Sequence, residues 1–122
     1  MRRNELVAPF VKWVGGKRQL LGVLSGLLPS GGIKSYCEPF IGGGAMLFHL
    51  QPEIAYVNDI NSELINVYRV IQHCVDGLID ELSGFGNEPE IFYEVRSWDR
   101  DKAKYLSLTD IHRAMQIMTT KI

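Results

Sequence analysis

The residues best suited to chemistry fall in three short runs of this chain. In the first, Glu38-Pro39-Phe40-Ile41 leads into three consecutive glycines, Gly42, Gly43 and Gly44, and then into an apolar helical pattern from Ala45 to Leu50. A strand that turns sharply into a helix leaves backbone N–H groups unpaired at the helix start, and glycines let a ligand approach that backbone closely. Taken alone, the cluster is equally well explained as a tight turn. Two familiar phosphate-binding patterns fail on the residues. A dinucleotide fingerprint G-x-G-x-x-G starting at Gly42 needs glycine where Leu47 stands. A P-loop built on Gly15-Gly16-Lys17 needs glycine at Val11 and a hydroxyl residue at Arg18.

The second run ends at Asp59, after an apolar stretch that reads as a strand. In open α/β sheets ligands bind beyond the carboxyl ends of strands, where an acid can accept both hydroxyls of a ribose. By itself Asp59 is better read as a turn or cap residue beside Asn61; one βα unit downstream of a glycine loop, the ligand reading overtakes that. The third run is Pro9-Phe10-Val11-Lys12-Trp13-Val14-Gly15-Gly16-Lys17. Alone, Trp13 reads as a packing anchor and Lys17 as a solvated charge. Together, two glycines open a gap flanked by a ring and a cation, which suits a zwitterion bearing a carboxylate.

The elements that must hold these runs follow from the hydrophobic period. Residues 9–16 read as extended. From Lys17 the positions Leu20, Leu21, Leu24, Leu27 and Leu28 share a helical face that stops at Pro29. Residues 33–38 and 55–60 read as strands separated by the glycine turn and the Ala45–Leu50 helix. Asn61 caps a helix carrying Leu64, Ile65, Tyr68 and Ile71. The alternation predicts a parallel α/β sheet. Beyond it, 75–82, 90–98 and 110–118 read as helices, the last started by Ser107 with Asp110 at capping-box spacing. Arg96, Arg100, Lys102, Lys104 and Arg113 make this stretch locally basic.

With 122 residues, 46% of them hydrophobic and 22% charged, the chain has the profile of one compact globular domain rather than a disordered one. A net charge of −1 gives no global electrostatic case for nucleic acid. Cys37 and Cys74 have no metal-ligand spacing and are expected to be buried thiols; no metal site is expected. Arg2 and Arg3 are not followed by a signal-peptide apolar region, and no apolar run is long enough to span a bilayer, so no membrane association and a cytoplasmic location are expected.

In order and spacing, PFVKWVGGKRQLL, EPFIGGGAM and NDINSELINVY closely resemble the start of adenine-specific DNA methyltransferases of the DNA adenine methylase (Dam) type. The resemblance covers nearly the whole chain and is strongest through about Tyr68; the three motifs together are highly specific. It implies a Rossmann-like methyltransferase fold, here incomplete: residues 1–74 as the S-adenosylmethionine-binding part and 75–122 as the start of a helical target-recognition domain. It further implies S-adenosyl-L-methionine as cofactor, double-stranded DNA as partner through a full-length enzyme, and methylation of the adenine exocyclic nitrogen, often at GATC, including in restriction–modification systems. Position by position, Trp13 and Lys17 would contact the methionine part of the cofactor, and Glu38 to Gly44, with Gly42, Gly43 and Gly44 at its turn, would wrap it. Phe40 would pack a ring nearby, and Asp59 would hold the ribose hydroxyls. Lys12, alternating with Trp13, is expected to face DNA.

Such enzymes meet the delocalised lone pair of an amino nitrogen with an Asp-Pro-Pro-Tyr motif acting on a base flipped out of the duplex. The prolines here stand at 9, 29, 39, 52 and 89, none adjacent, so these residues carry no such motif and no catalytic residue is assigned. The family order places target recognition before that motif. The sequence closes on Met118-Thr119-Thr120-Lys121-Ile122, where relatives would be entering a DNA-recognition hairpin; from Thr119 it departs from the family pattern, as a frameshifted or artificial end would. The expectation is a chain inactive alone, its glycine-motif strand left with an unpaired edge, that self-associates or needs a complementing chain. One half of a split enzyme, or a non-catalytic cofactor- or DNA-binding module, are the alternatives.

Overall fold

The computed structural model describes residues 4–11, 13, 17–86 and 88–120. They form two compact units, 1–60 and 61–122. In the first, a 3₁₀ turn at Lys17–Leu20 runs into α1 (Leu21–Gly26), followed by β1 (Ser35–Glu38), α2 (Ala45–Leu50) and β2 (Ile54–Val57). β1 and β2 pair in parallel, with Ser35 opposite Ile54 and Glu38 opposite Val57. A parallel pair cannot be closed by a hairpin, and α2 supplies the crossover. The ladder continues past the strands: the Asn58 N–H donates to the Glu38 carbonyl and the Ile41 N–H to the Asn58 carbonyl, both at 2.9 Å. Those two bonds fix the glycine loop beside the segment bearing Asp59.

The mixed α/β order is as expected, with local corrections. The strands cover four residues each rather than 33–38 and 55–60. Gly32, at φ +85°, still belongs to the turn before β1, and after Asn58 the chain leaves the ladder. The helix expected to run from Lys17 to Leu28 begins as 3₁₀ and ends at Gly26, with none of its α-helical residues buried. Cys37 and Cys74 are exposed, not buried. On β1 the alternation turns Tyr36 and Glu38 inward and Ser35 and Cys37 outward, onto a sheet face left open.

In the second unit, α3 (Ser62–Ser83) comprises both helices expected at 61–71 and 75–82, which meet at a kink where Cys74 leaves helical geometry at φ −138° and ψ 34°. The Asn61 side chain accepts from the Glu63 and Leu64 N–H groups, as a cap at that position should. α4 (Pro89–Ser97) leads through a 3₁₀ turn at Trp98–Arg100 into α5 (Lys102–Ser107), a helix the periodicity did not reveal, and then α6 (Asp110–Thr120). The expected Ser107–Asp110 capping box does not form. Ser107 closes α5 by donating to the Lys104 carbonyl, and the Thr109 hydroxyl accepts from the His112 N–H at the start of α6. α3 and α6 pack closely: a Cβ on Gly77 would lie 3.0 Å from Ile111 Cδ1. Leu64, Val67, Ala114 and Met115 are fully buried. Arg113 does not extend a basic face; its guanidinium lies 4.7 Å over the Tyr105 ring, with Nη2 3.5 Å from Glu63.

Candidate cofactor site

The site assembles at the carboxyl end of β1, where the pleat brings Glu38 inward and only 6% exposed. A carboxylate so far from water needs partners on both oxygens. The Lys17 ammonium lies 2.5 Å from Oε1 and also donates to the Phe40 carbonyl at 2.8 Å, while the Tyr36 hydroxyl donates to Oε2 at 2.5 Å. Burial first, and then the adjacent Glu38 carboxylate, push the Tyr36 phenol far above its ordinary ionisation range, so it stays a donor.

The chain then turns through the glycines. Gly44 caps α2 at φ +79°, a left-handed conformation that side-chain-bearing residues adopt only at a cost. Gly43 passes so near the upstream segment that an added Cβ would sit 3.0 Å from the Val11 carbonyl oxygen. Trp13 lies against this hinge, its Cδ1 3.5 Å from where a Gly42 Cβ would be. Asp59 reaches the same place from the β2 side, its Oδ2 accepting from the Gly42 N–H at 3.1 Å. An open cleft of about 360 Å³ lies beside β1, and its lining includes Lys17, Leu24, Leu27, Leu28, Met46 and residues 36–40. The Phe40 ring, 68% exposed, stands at its edge.

Of the residues singled out in the sequence, Trp13, Lys17, Glu38, Phe40, Gly42, Gly43, Gly44 and Asp59 therefore fall in one unit and around one hinge. Lys12 lies outside the described residues. Tyr36 was missed, although its position two residues before Glu38 on a strand placed it on the same face. A cation and two carboxylates around a glycine turn can bind a carboxylate, an ammonium and vicinal hydroxyls. They offer no evident nucleophile–base pair. Among the described residues no cluster of His, Cys, Asp and Glu could hold a metal, and no helix is long and apolar enough to cross a membrane.

Residues 13–122 match the family described as D12 class N6 adenine-specific DNA methyltransferase. The chain is 41% identical over 121 residues to the type II methyltransferase M1.LlaDCHI of Lactococcus lactis subsp. cremoris, an alignment covering 97% of this chain and 42% of that protein. It is likewise 41% identical over 107 residues to the type II methyltransferase M.MjaIII of Methanocaldococcus jannaschii, covering 74% of this chain and 37% of the relative. To the DNA adenine methylase of Haemophilus influenzae it is 34% identical over 95 residues, covering 72% and 32% respectively. The chain thus spans less than half the length of these relatives. With a family match across nearly all its residues, the chain belongs to the D12 class N6 adenine-specific DNA methyltransferases.

Proposed function

We propose that the chain is the cofactor-binding front of a site-specific DNA adenine methyltransferase that takes a methyl group from S-adenosyl-L-methionine. The observation that supports this most is the meeting of Trp13, Gly42 and Asp59 at one hinge, with Lys17 and Glu38 beside it. The donor set suits the cofactor. Lys17 would bind its carboxylate, Trp13 and the turn from Glu38 to Gly44 would enclose its methionine part, Phe40 would pack near it, and Asp59 would hold its ribose hydroxyls. The cofactor supplies an electrophilic methyl on a sulfonium; the protein binds and orients it.

On this reading β1 and β2 are the front of a Rossmann-like sheet, residues 1–74 form the cofactor part and 75–122 begin the target-recognition domain. The duplex partner, the DNA-facing Lys12 and a cytoplasmic site of action belong to the same proposal. Because these residues carry no Asp-Pro-Pro-Tyr, transfer needs groups from elsewhere. A complementing chain is the second reading, favoured by the edge of β1 that no strand pairs among the described residues. Tritiated methyl transfer to duplex DNA tests both. The chain alone should label nothing, and a mixture with a polypeptide supplying that motif should label adenine. Labelling by the chain alone would contradict the proposal. Saturable DNA binding without transfer in any mixture would favour a non-catalytic module.

A further inference from the structure

We propose that Tyr36 is a positioning residue of the cofactor site, pinning one oxygen of the Glu38 carboxylate so that the other seats the Lys17 ammonium for the amino-acid end of the bound nucleoside. The inference rests on the S-adenosylmethionine reading above. Tyr36 and Glu38 stand two apart on β1 and share its inward face. The phenol donates to Oε2 at 2.5 Å, and Lys17 Nζ lies 2.5 Å from Oε1 and 2.8 Å from the Phe40 carbonyl oxygen. Both oxygens of a nearly buried carboxylate are engaged, one by a neutral donor and one by a cation. The division of labour matters. A second cation on Oε2 would compete with Lys17, whereas a neutral hydroxyl on a short, ring-borne arm fixes the carboxylate plane and leaves its charge to the ammonium. Lys17 has a long flexible stem and no such constraint of its own. Lys17, Tyr36 and Glu38 all line the cleft beside β1.

Tyr36→Phe keeps the ring and removes only the donor. Calorimetry on the chain and this variant should use two probes: S-adenosylhomocysteine, and 5′-methylthioadenosine, which shares the nucleoside and thioether but lacks the amino acid. The variant should lose about tenfold in affinity for S-adenosylhomocysteine, as expected for a hydrogen bond to a charged group. Its affinity for 5′-methylthioadenosine should stay within about twofold. In the double variant with Lys17→Ala, the Tyr36→Phe loss should vanish, because the two residues act through one carboxylate. Equal losses for both probes would show a merely structural tyrosine and overturn the assignment, as would no loss for either. Failure of the unaltered chain to bind either probe would instead overturn the cofactor reading on which the assignment rests.

Discussion

Asp59 gives its carboxylate to the Gly42 N–H at 3.1 Å, so the acid that would hold a ribose also ties β2's exit to the glycine turn. Asp59→Ala removes an ionised acceptor, and such hydrogen bonds contribute about 1.5–3 kcal/mol. S-adenosylmethionine affinity should fall about tenfold or more; unchanged affinity in a folded variant would take Asp59 out of the site. The placement of Asp59, Glu38 and the glycines was legible because a strand end and a turn are local features. The state of Lys17 was not. Alone it reads as a solvated charge, and only the fold brings it to Glu38 across more than twenty residues. Tyr36 escaped for a related reason: alternation gives its face, but a phenol becomes a functional donor only when its neighbour is buried.

At the scale of elements, the glycine turn carries the strongest conformational demand. Gly44 sits at φ +79° at the start of α2, and a Cβ there meets the left-handed penalty of about 1–2 kcal/mol. Gly44→Ala should lower unfolding free energy by that amount in denaturant titration, and an unchanged midpoint would show that the turn relaxes without strain. The helix–strand–helix–strand–helix order and the Asn61 cap were legible from period and cap residues. Boundaries were not, because they depend on individual hydrogen bonds. Thr109 rather than Ser107 starts α6, whereas the break that the apolar pattern suggested before Val75 is present as the kink at Cys74. α5 was hidden because its sequence, KAKYLS, has little apolar periodicity and buries no residue.

At the scale of the whole chain, the two units differ in how well they cover themselves. The 61–122 unit has a continuous buried set running from Leu64 through Met115 to Ile117. The 1–60 unit leaves Leu27 76%, Ile54 51% and Tyr56 65% exposed around a two-stranded sheet. Apolar surface beside an unpaired strand invites association. Sedimentation velocity should therefore show a mass that rises with concentration, whereas a monodisperse monomer that melts cooperatively without ligand would contradict this. The most direct measurement of all is titration calorimetry of the folded chain with S-adenosylmethionine. A saturable heat at one cofactor per chain, lost on Trp13→Ala, is the predicted result. No heat from demonstrably folded protein would contradict the central claim that this glycine hinge is a cofactor site.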